Sequence, residues 1–509
     1  MLLDLDHAAC CRIFATRDAR FDGRIYIGVR TTGIYCRPIC PARTPKPEHV
    51  SFYPSAAAAR HAGFRPCLRC RPELAPEVAA WHGTSTTVVR ALGLIEAGAL
   101  DDGNLASLAT HLGISDRQLR RLFQQHLGAS PIAVAQTRRV HLAKQLIHET
   151  DLSMTDVAFA AGFGSVRRFN ETFHQLFQRP PASLRRVGRS TTASAEAVTI
   201  RLPYQPPYDW DGMLAYFRPR TIPGVESVID GRYARSITLD GHAGTLAVEA
   251  GAKHSLRVTV RFPRLAALPR IIGRVRQVFD LAANPALIGA HLAEDPLLAP
   301  LVAARPGLRV PGTWDNFELA VRAILGQQIT VAGATRLSGI IVANVGTLFD
   351  DPHAHALGLS HQFPTPAQLA GADVAGLGLM PGARARALTS LAEAVAADHP
   401  GAAPALFGPY RDLASTIAHL RSLPGIGEWT AQYIALRALR ETDAFPAADV
   451  GLLRAMEGEF GHRPSPAALL VRAESWRPWR AYAALHLWAS LPVALAAIRQ
   501  ERPDAQRAA

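Results

Sequence analysis

Four of the chain's six cysteines fall in one short stretch, as Cys36, Cys40, Cys67 and Cys70. They form a C-x3-C pair and a C-x2-C pair with 26 residues between them. Two close pairs of thiolates suit one tetrahedral zinc ion, and "FRPCLRCRP" is a tight knuckle. None of the 439 residues after Cys70 is a cysteine. Cys10 and Cys11 match no ligand spacing and read as ordinary small buried residues.

A second kind of chemistry stands far downstream, in "LRSLPGIGEWTAQYIALRAL" (Leu420–Leu439). Gly425 and Gly427 of its "LPGIG" turn leave backbone N–H groups open, and a helix should start just after them. A helix N-terminus of this kind can hold a DNA phosphate. Asp449 follows Gly427 by 22 residues. Trp429 and Tyr433 are four residues apart and share a helix face. Trp488 comes later, in "LHLWAS". Electron-rich rings bind a cationic base by stacking, worth about 0.5–2 kcal/mol each. Core packing alone would explain such rings; the hairpin beside them favours a pocket.

These groups need a scaffold of several domains. A chain of 509 residues is too long for one core and implies three or four. No apolar run reaches the roughly 18–20 residues of a membrane span. The opening "MLLDLDHAACCRIF" carries acids where a secretory signal would carry Lys or Arg, so a cytoplasmic protein with reduced thiols is expected. The net charge is +13. Residues 1–190 hold 25 Lys+Arg against 15 Asp+Glu, and residues 191–509 hold 30 against 27. The basic excess therefore belongs to the first part and points to a nucleic-acid partner, a general Arg bias being the alternative.

Between residues 84 and 187 the pattern helix–Gly turn–helix occurs twice. In "LASLATHLGISDRQLRRLFQQHLGASP", Leu105, Leu108 and Leu112 give an apolar face, Gly113 breaks the helix and Ser115 caps the next. That second helix should expose Arg117, Arg120 and Arg121. In the second unit Gly162 makes the turn, Ser165 caps, and Arg167, Arg168 and Asn170 project. "VGRSTTASAE" (Val187–Glu196) reads as a linker. "AVTIRLPYQPPYDW" and "SLRVTVRF" alternate as strands do, and beyond about residue 285 the chain turns helical.

Three resemblances attach to these motifs. "VRTTGIYCRPICPAR" with "GFRPCLRCRPE" resembles the N-terminal domain of Ada-type adaptive-response proteins, over about residues 1–80. That resemblance implies a bound zinc and repair of DNA methylphosphotriesters, with Cys36 as methyl acceptor and Cys40, Cys67 and Cys70 as co-ligands. The tandem helix–turn–helix region (84–187) resembles the DNA-binding domain of AraC-type regulators, which sets two recognition helices in successive major grooves. From about residue 197 to 495 the chain looks like the AlkA-type 3-methyladenine DNA glycosylases of the helix–hairpin–helix superfamily. This implies Asp449 as the catalytic carboxylate and Trp429, Tyr433 and Trp488 as the base pocket.

The expected fold is multidomain and mainly α. It comprises a zinc-binding α/β domain (1–80), the tandem helix–turn–helix domain (84–187) and a linker (188–196). A TBP-like α/β domain (197–285), an all-α helix–hairpin–helix domain (286–495) and a tail (496–509) follow. No Lys stands just after the hairpin, where Glu428 and Trp429 lie, so a monofunctional glycosylase without strand cleavage is expected. The absence of cysteines beyond Cys70 excludes an iron–sulfur cluster there. Gln327 and Gln328 stand where the glycosylase family often has an apolar wedge, so the wedge is not identified. The expected partners are double-stranded DNA, alkylated or promoter, and RNA polymerase; no membrane is involved. Two alternatives stay open: a repair enzyme whose N-terminal domains only anchor it, and a regulator with an inactive glycosylase half.

Overall fold

The computed structural model describes residues 6–76, 86–96, 98–101, 104–185, 197–397, 406–407 and 412–491. The expected linker (188–196) and tail (496–509) lie outside them. The chain forms two compact units. The first takes in Met1–Gln205, Gly251–Arg276 and Leu281–Asn284, and the second Pro206–Ala250, Gln277–Asp280 and Pro285–Ala509.

The first unit opens with a four-stranded sheet of order β3-β1-β2-β4. Its strands are β1 (Tyr26–Val29), β2 (Ile34–Cys36), β3 (Val50–Tyr53) and β4 (Arg65–Pro66). β1 runs antiparallel to β2 and β3, and β2 parallel to β4. Phe14, Ile27, Val29 and Val50 pack around the four cysteines, so the thiols themselves complete a small core. A module this size buries little apolar surface, and a metal would supply much of its folding energy.

The helix–turn–helix pair follows. Asn104 caps Leu105–His111 and Ser115 caps Asp116–Leu127; between them Gly113 takes a φ of 68°. Ser153 and Ser165 do the same for Met154–Ala160 and Val166–Phe177, with Gly162 at 85°. The long helix Pro131–Glu149 joins the two helix–turn–helix pairs within the first unit, capped by Ser130 with Pro131 in its first turn. Its far end is tied to the metal module. Lys144, fully buried, donates to Glu73 Oε2 at 2.7 Å and to the Cys67 carbonyl at 2.8 Å. His141 Nε2 lies 2.6 Å from the Tyr35 hydroxyl. Gln145 donates to the Arg201 carbonyl at 2.6 Å, and the Arg201 N–H donates to Glu149 at 3.0 Å. Helix side chains thus satisfy the backbone of β5 (Val198–Pro203), which pairs antiparallel with Ser255–Arg261 on its other edge.

In the second unit Glu226–Ile229, Arg232–Leu239 and His242–Gly251 contribute strands, the first two pairs antiparallel. Helices follow. Asn316–Leu325 is the most deeply set, with eight of its ten residues buried. It packs against Gly382–Ala396 and Glu428–Arg437. Leu413–Arg421 packs on Glu428–Arg437 to make the hairpin, and Val450–Ala455 packs on Arg480–Ser490. One short antiparallel ribbon, Thr347–Leu348 with His361–Gln362, interrupts the helical run. Two residues a side are too few to leave an alternating pattern in the sequence. Among the described residues, no helix is long and apolar enough to cross a membrane.

Candidate functional site

The four thiols of Cys36, Cys40, Cys67 and Cys70 lie within 4.8 Å of one another, and all four residues are buried. Zinc–sulfur bonds of about 2.3 Å in a tetrahedron place the sulfurs about 3.8 Å apart, so this donor set fits zinc. The sequence explains the convergence. β2 ends at Cys36, and pairing of β2 with β4 brings the Cys67 knuckle alongside; the Cys67 N–H bonds the Tyr35 carbonyl at 3.0 Å. Arg37 fastens the halves together. Its Nε donates to Asp22 at 2.8 Å and its Nη1 to the Cys70 carbonyl at 3.1 Å.

The four sulfurs are not equivalent. Cys70 Sγ accepts the Arg37 N–H at 3.3 Å, and Cys67 Sγ accepts the Arg69 N–H at 3.3 Å. Cys36 accepts no backbone N–H among the described residues. An N–H donor draws charge from a thiolate and blunts it, so Cys67 and Cys70 are blunted in a way that Cys36 is not. Cys10 is buried as expected, whereas Cys11 is only half-buried, with its thiol 3.6 Å from His7 Nδ1.

On the two recognition helices Arg117, Arg120, Arg121, Arg167, Arg168 and Asn170 are all exposed. The helices differ in charge. Arg167 donates to Glu171 at 2.7 Å, so the second presents an ion pair and the Arg168 guanidinium where the first presents three guanidiniums. Glu171 escapes sequence reasoning because a helix-stabilising i,i+4 pair looks the same.

In the hairpin, Gly425 takes a φ of 80°, and Gly427 is the N-cap of Glu428–Arg437 with no side-chain cap. The first amides of that helix are therefore open. Gln327 turns inward, donating to the Gly425 carbonyl at 2.9 Å and to Thr430 Oγ1 at 3.1 Å. Its own carbonyl accepts Arg384 at 2.6 Å. Gln328 is exposed, with a φ of 59°.

Beside the hairpin, four half-buried side chains meet: Trp429, Tyr433, Asp449 and Trp488. The rings of Trp429 and Tyr433 stack, with centroids 5.4 Å apart and planes 14° from parallel. Both indoles hold the carboxylate. Trp429 Nε1 donates to Asp449 Oδ2 at 2.9 Å, and Trp488 Nε1 to Oδ1 at 2.8 Å. Asp449 also caps its own helix, Oδ1 accepting the N–H groups of Gly451 at 2.9 Å and Leu452 at 3.1 Å. A Cβ on Gly451 would sit 3.0 Å from both Asp449 Oδ1 and the Trp488 ring, so a side chain there would press both groups back. The capping role of Asp449 has the ordinary signal of an Asp before an apolar run, whereas the indole contacts and the close approach at Gly451 have no local sequence signal. Two further groups join: Tyr216, from the helix Trp210–Phe217, and Arg437, at the end of the helix that carries Trp429 and Tyr433, whose guanidinium lies 4.5 Å from the Tyr216 ring centroid.

A carboxylate held by two indoles beside an open helix N-terminus thus shares one chain with a four-cysteine cluster that fits zinc. Family models match in that sense. The AlkA N-terminal domain matches residues 199–315 and the HhH-GPD superfamily of base excision DNA repair proteins residues 321–481. The metal-binding domain of Ada matches residues 9–73 and a helix-turn-helix domain residues 108–187. Over 490 residues the chain is 39% identical to the probable bifunctional transcriptional activator/DNA repair enzyme AlkA of Mycobacterium tuberculosis (strain ATCC 25618 / H37Rv). That match covers 96% of this chain and 97% of the relative. It is 37% identical to DNA-3-methyladenine glycosylase 2 of Escherichia coli (strain K12), over 56% of this chain and 95% of that protein. The fold matches the 3-methyladenine DNA-glycosylase from Archaeoglobus fulgidus with a TM-score of 0.50, at 22% identity. That match covers 57% of this chain and 97% of the other. The chain belongs to the family of bifunctional AlkA transcriptional activator/DNA repair enzymes.

Proposed function

We propose that the chain repairs alkylated DNA and reports the damage: it hydrolyses the glycosidic bond of 3-methyladenine-type bases, and it takes methyl groups from DNA methylphosphotriesters onto Cys36. The observation that carries the first activity is the Asp449 carboxylate held by two indole N–H groups and two backbone N–H groups. The hairpin amides hold a phosphate while the damaged nucleotide is turned out of the duplex. Gln328 stands exposed beside them. The flipped base stacks against the aromatic rings, and its positive charge favours their faces. Asp449 then faces the sugar, stabilises its developing cation and orients water onto C1′. The bond breaks with its electron pair passing to the base, and no Lys stands ready to form a Schiff base.

For the second activity, zinc would hold the four cysteines as thiolates at neutral pH. Cys36 is the acceptor by its position in the Ada-type motif, and the lack of an N–H donor on its sulfur supports that reading. It displaces the phosphotriester oxygen from the methyl carbon in line, leaving a thioether and a phosphodiester. The transfer is stoichiometric. The recognition helices bind promoter DNA and place the chain beside RNA polymerase for activation. The residues that contact DNA are Gly425, Gly427, Arg117, Arg120, Arg121, Arg167, Arg168 and Asn170.

The test of the glycosylase reading is Asp449→Asn. Asn keeps the size and part of the hydrogen bonding but removes the charge. A preorganised charge contributes at least about 3 kcal/mol to such a barrier, so release of 3-methyladenine should fall more than about a hundredfold with duplex binding retained. Near-normal release by that variant, or a borohydride-trapped protein–DNA adduct in the wild type, would remove the assignment.

A further inference from the structure

The two recognition helices correspond residue by residue. Each follows a serine cap and runs for 12 residues, Asp116–Leu127 after Ser115 and Val166–Phe177 after Ser165. Each buries the same stripe, Leu119, Phe123 and Leu127 in the first and Phe169, Phe173 and Phe177 in the second. The opposite faces are therefore equivalent, and both are exposed. On them Arg117 corresponds to Arg167, Arg120 to Asn170, Arg121 to Glu171 and Gln124 to His174. Where the first helix sets three cations, the second sets a cation, an amide and an acid.

An acid on a face turned towards DNA needs a reason. It is repelled by phosphates, and it only accepts hydrogen bonds, so the acceptors of guanine and thymine offer it nothing. Helix stability does not supply the reason. The i,i+4 pair of Arg167 with Glu171 runs in the weaker order, the cation N-terminal to the acid. Arg167 and Arg168 also stand in a first turn that holds no acid, where the helix dipole disfavours cations. The first helix does hold one there, Asp116. The pair is open to solvent, with side chains 88% and 52% exposed, and contributes little to the fold. Nor does another element cover Glu171. With Asn170, His174 and Gln175 it lines an open groove bounded by Pro180 and Pro181.

We propose that Glu171 is a specificity determinant of promoter binding, by which the second recognition helix selects a cytosine. The inference rests on the promoter-binding reading above and assigns a residue and a base that reading leaves open. On the right site the ion pair opens. Glu171 accepts the N4 amino group of cytosine, the donor a carboxylate suits best in the major groove. Adenine N6 is the other amino donor there, but the N7 acceptor beside it repels the second carboxylate oxygen. Arg167, one turn nearer the helix start, is released to donate to O6 and N7 of a guanine. On a wrong site the acid is pressed against acceptors, so the sequence is penalised rather than merely unrewarded. While the pair stays closed, it also keeps Arg167 from adding to affinity for unrelated DNA.

Selection from duplexes of randomised sequence tests this, using the full-length zinc-loaded protein. Bound duplexes are recovered and sequenced. Affinities for the recovered site and for an unrelated duplex are then measured across a salt series. The wild type should recover sites with a fixed C·G pair. Glu171→Ala should lose the preference at that pair, worth about tenfold in affinity, and keep the rest of the site. It should also bind the unrelated duplex more tightly, with a salt dependence steeper by about one phosphate contact, because an acid is gone and Arg167 is free. A purely structural role for Glu171 would move neither of these in that direction. Glu171→Gln should shift the preference at the same pair from cytosine to adenine. Recovered sites that stay the same in both variants, or an unrelated duplex that Glu171→Ala binds no more tightly, would overturn the role of Glu171. A wild type that recovers no preferred sequence overturns the promoter-binding reading and this inference with it.

Discussion

Asp449 accepts N–H groups from two sources, its own helix and two indoles, and the second source alters how the tryptophans should be understood. Sequence reasoning assigns Trp429 and Trp488 to stacking. The geometry adds a second task, since each indole N–H fixes one carboxylate oxygen. A carboxylate that needs no reorganisation is the better stabiliser of a developing charge. Cys36 shows the same logic in reverse, being defined by a donor it lacks. Spacing shows that four cysteines can meet, but N–H···S contacts depend on local backbone turns and leave no trace in composition. Cys36→Ser should therefore abolish methyl uptake from methylphosphotriester DNA while base excision continues, read by mass spectrometry of the Cys36 peptide and by base release. Methyl transfer persisting in that variant would move the acceptor to another cysteine.

Elements whose signals are local could be read before the structure was known. Ser115 and Ser165 cap the recognition helices, and Gly113 and Gly162 turn the chain before them. The hairpin is legible for the same reason. What could not be read is what the hairpin leans on. Gly425 needs a positive φ, and a Cβ there would also lie 2.4 Å from the Ala387 Cβ on the helix Gly382–Ala396. Gly427 has an ordinary φ of −86° and no atom within 4 Å of a built Cβ. The two glycines of one motif thus serve different ends. Gly425→Ala should destabilise this unit by about 2 kcal/mol, combining left-handed strain with overpacking. Gly427→Ala should cost less than about 1 kcal/mol, yet weaken duplex binding by crowding the phosphate. Thermal unfolding and duplex titration of both variants separate the roles; equal stability losses would refute this division.

At the scale of the chain, the first 190 residues carry the basic excess, and they also hold the metal centre and both recognition helices. The long helix Pro131–Glu149 contacts the metal module through Lys144 to Glu73 and the Cys67 carbonyl and through His141 to Tyr35. Contacts of this kind link residues more than seventy positions apart and cannot be foreseen from helix periodicity, which shows only that one face is buried. Their consequence is electrostatic. A zinc centre with four thiolates carries a net negative charge, and methylation of Cys36 removes one unit of it. At about 4 Å and an effective dielectric near 20, one unit charge against a phosphate is worth about 4 kcal/mol before screening, so even a tenth of it changes affinity measurably. Methylated protein should bind promoter DNA more tightly than unmethylated protein at low salt. The gap should narrow as salt rises, because screening weakens the one term that differs. Binding isotherms of both forms across a salt series measure this directly. Equal affinities at low salt, or a gap indifferent to salt, would reject an electrostatic switch and leave a conformational change along the long helix as the carrier of the signal.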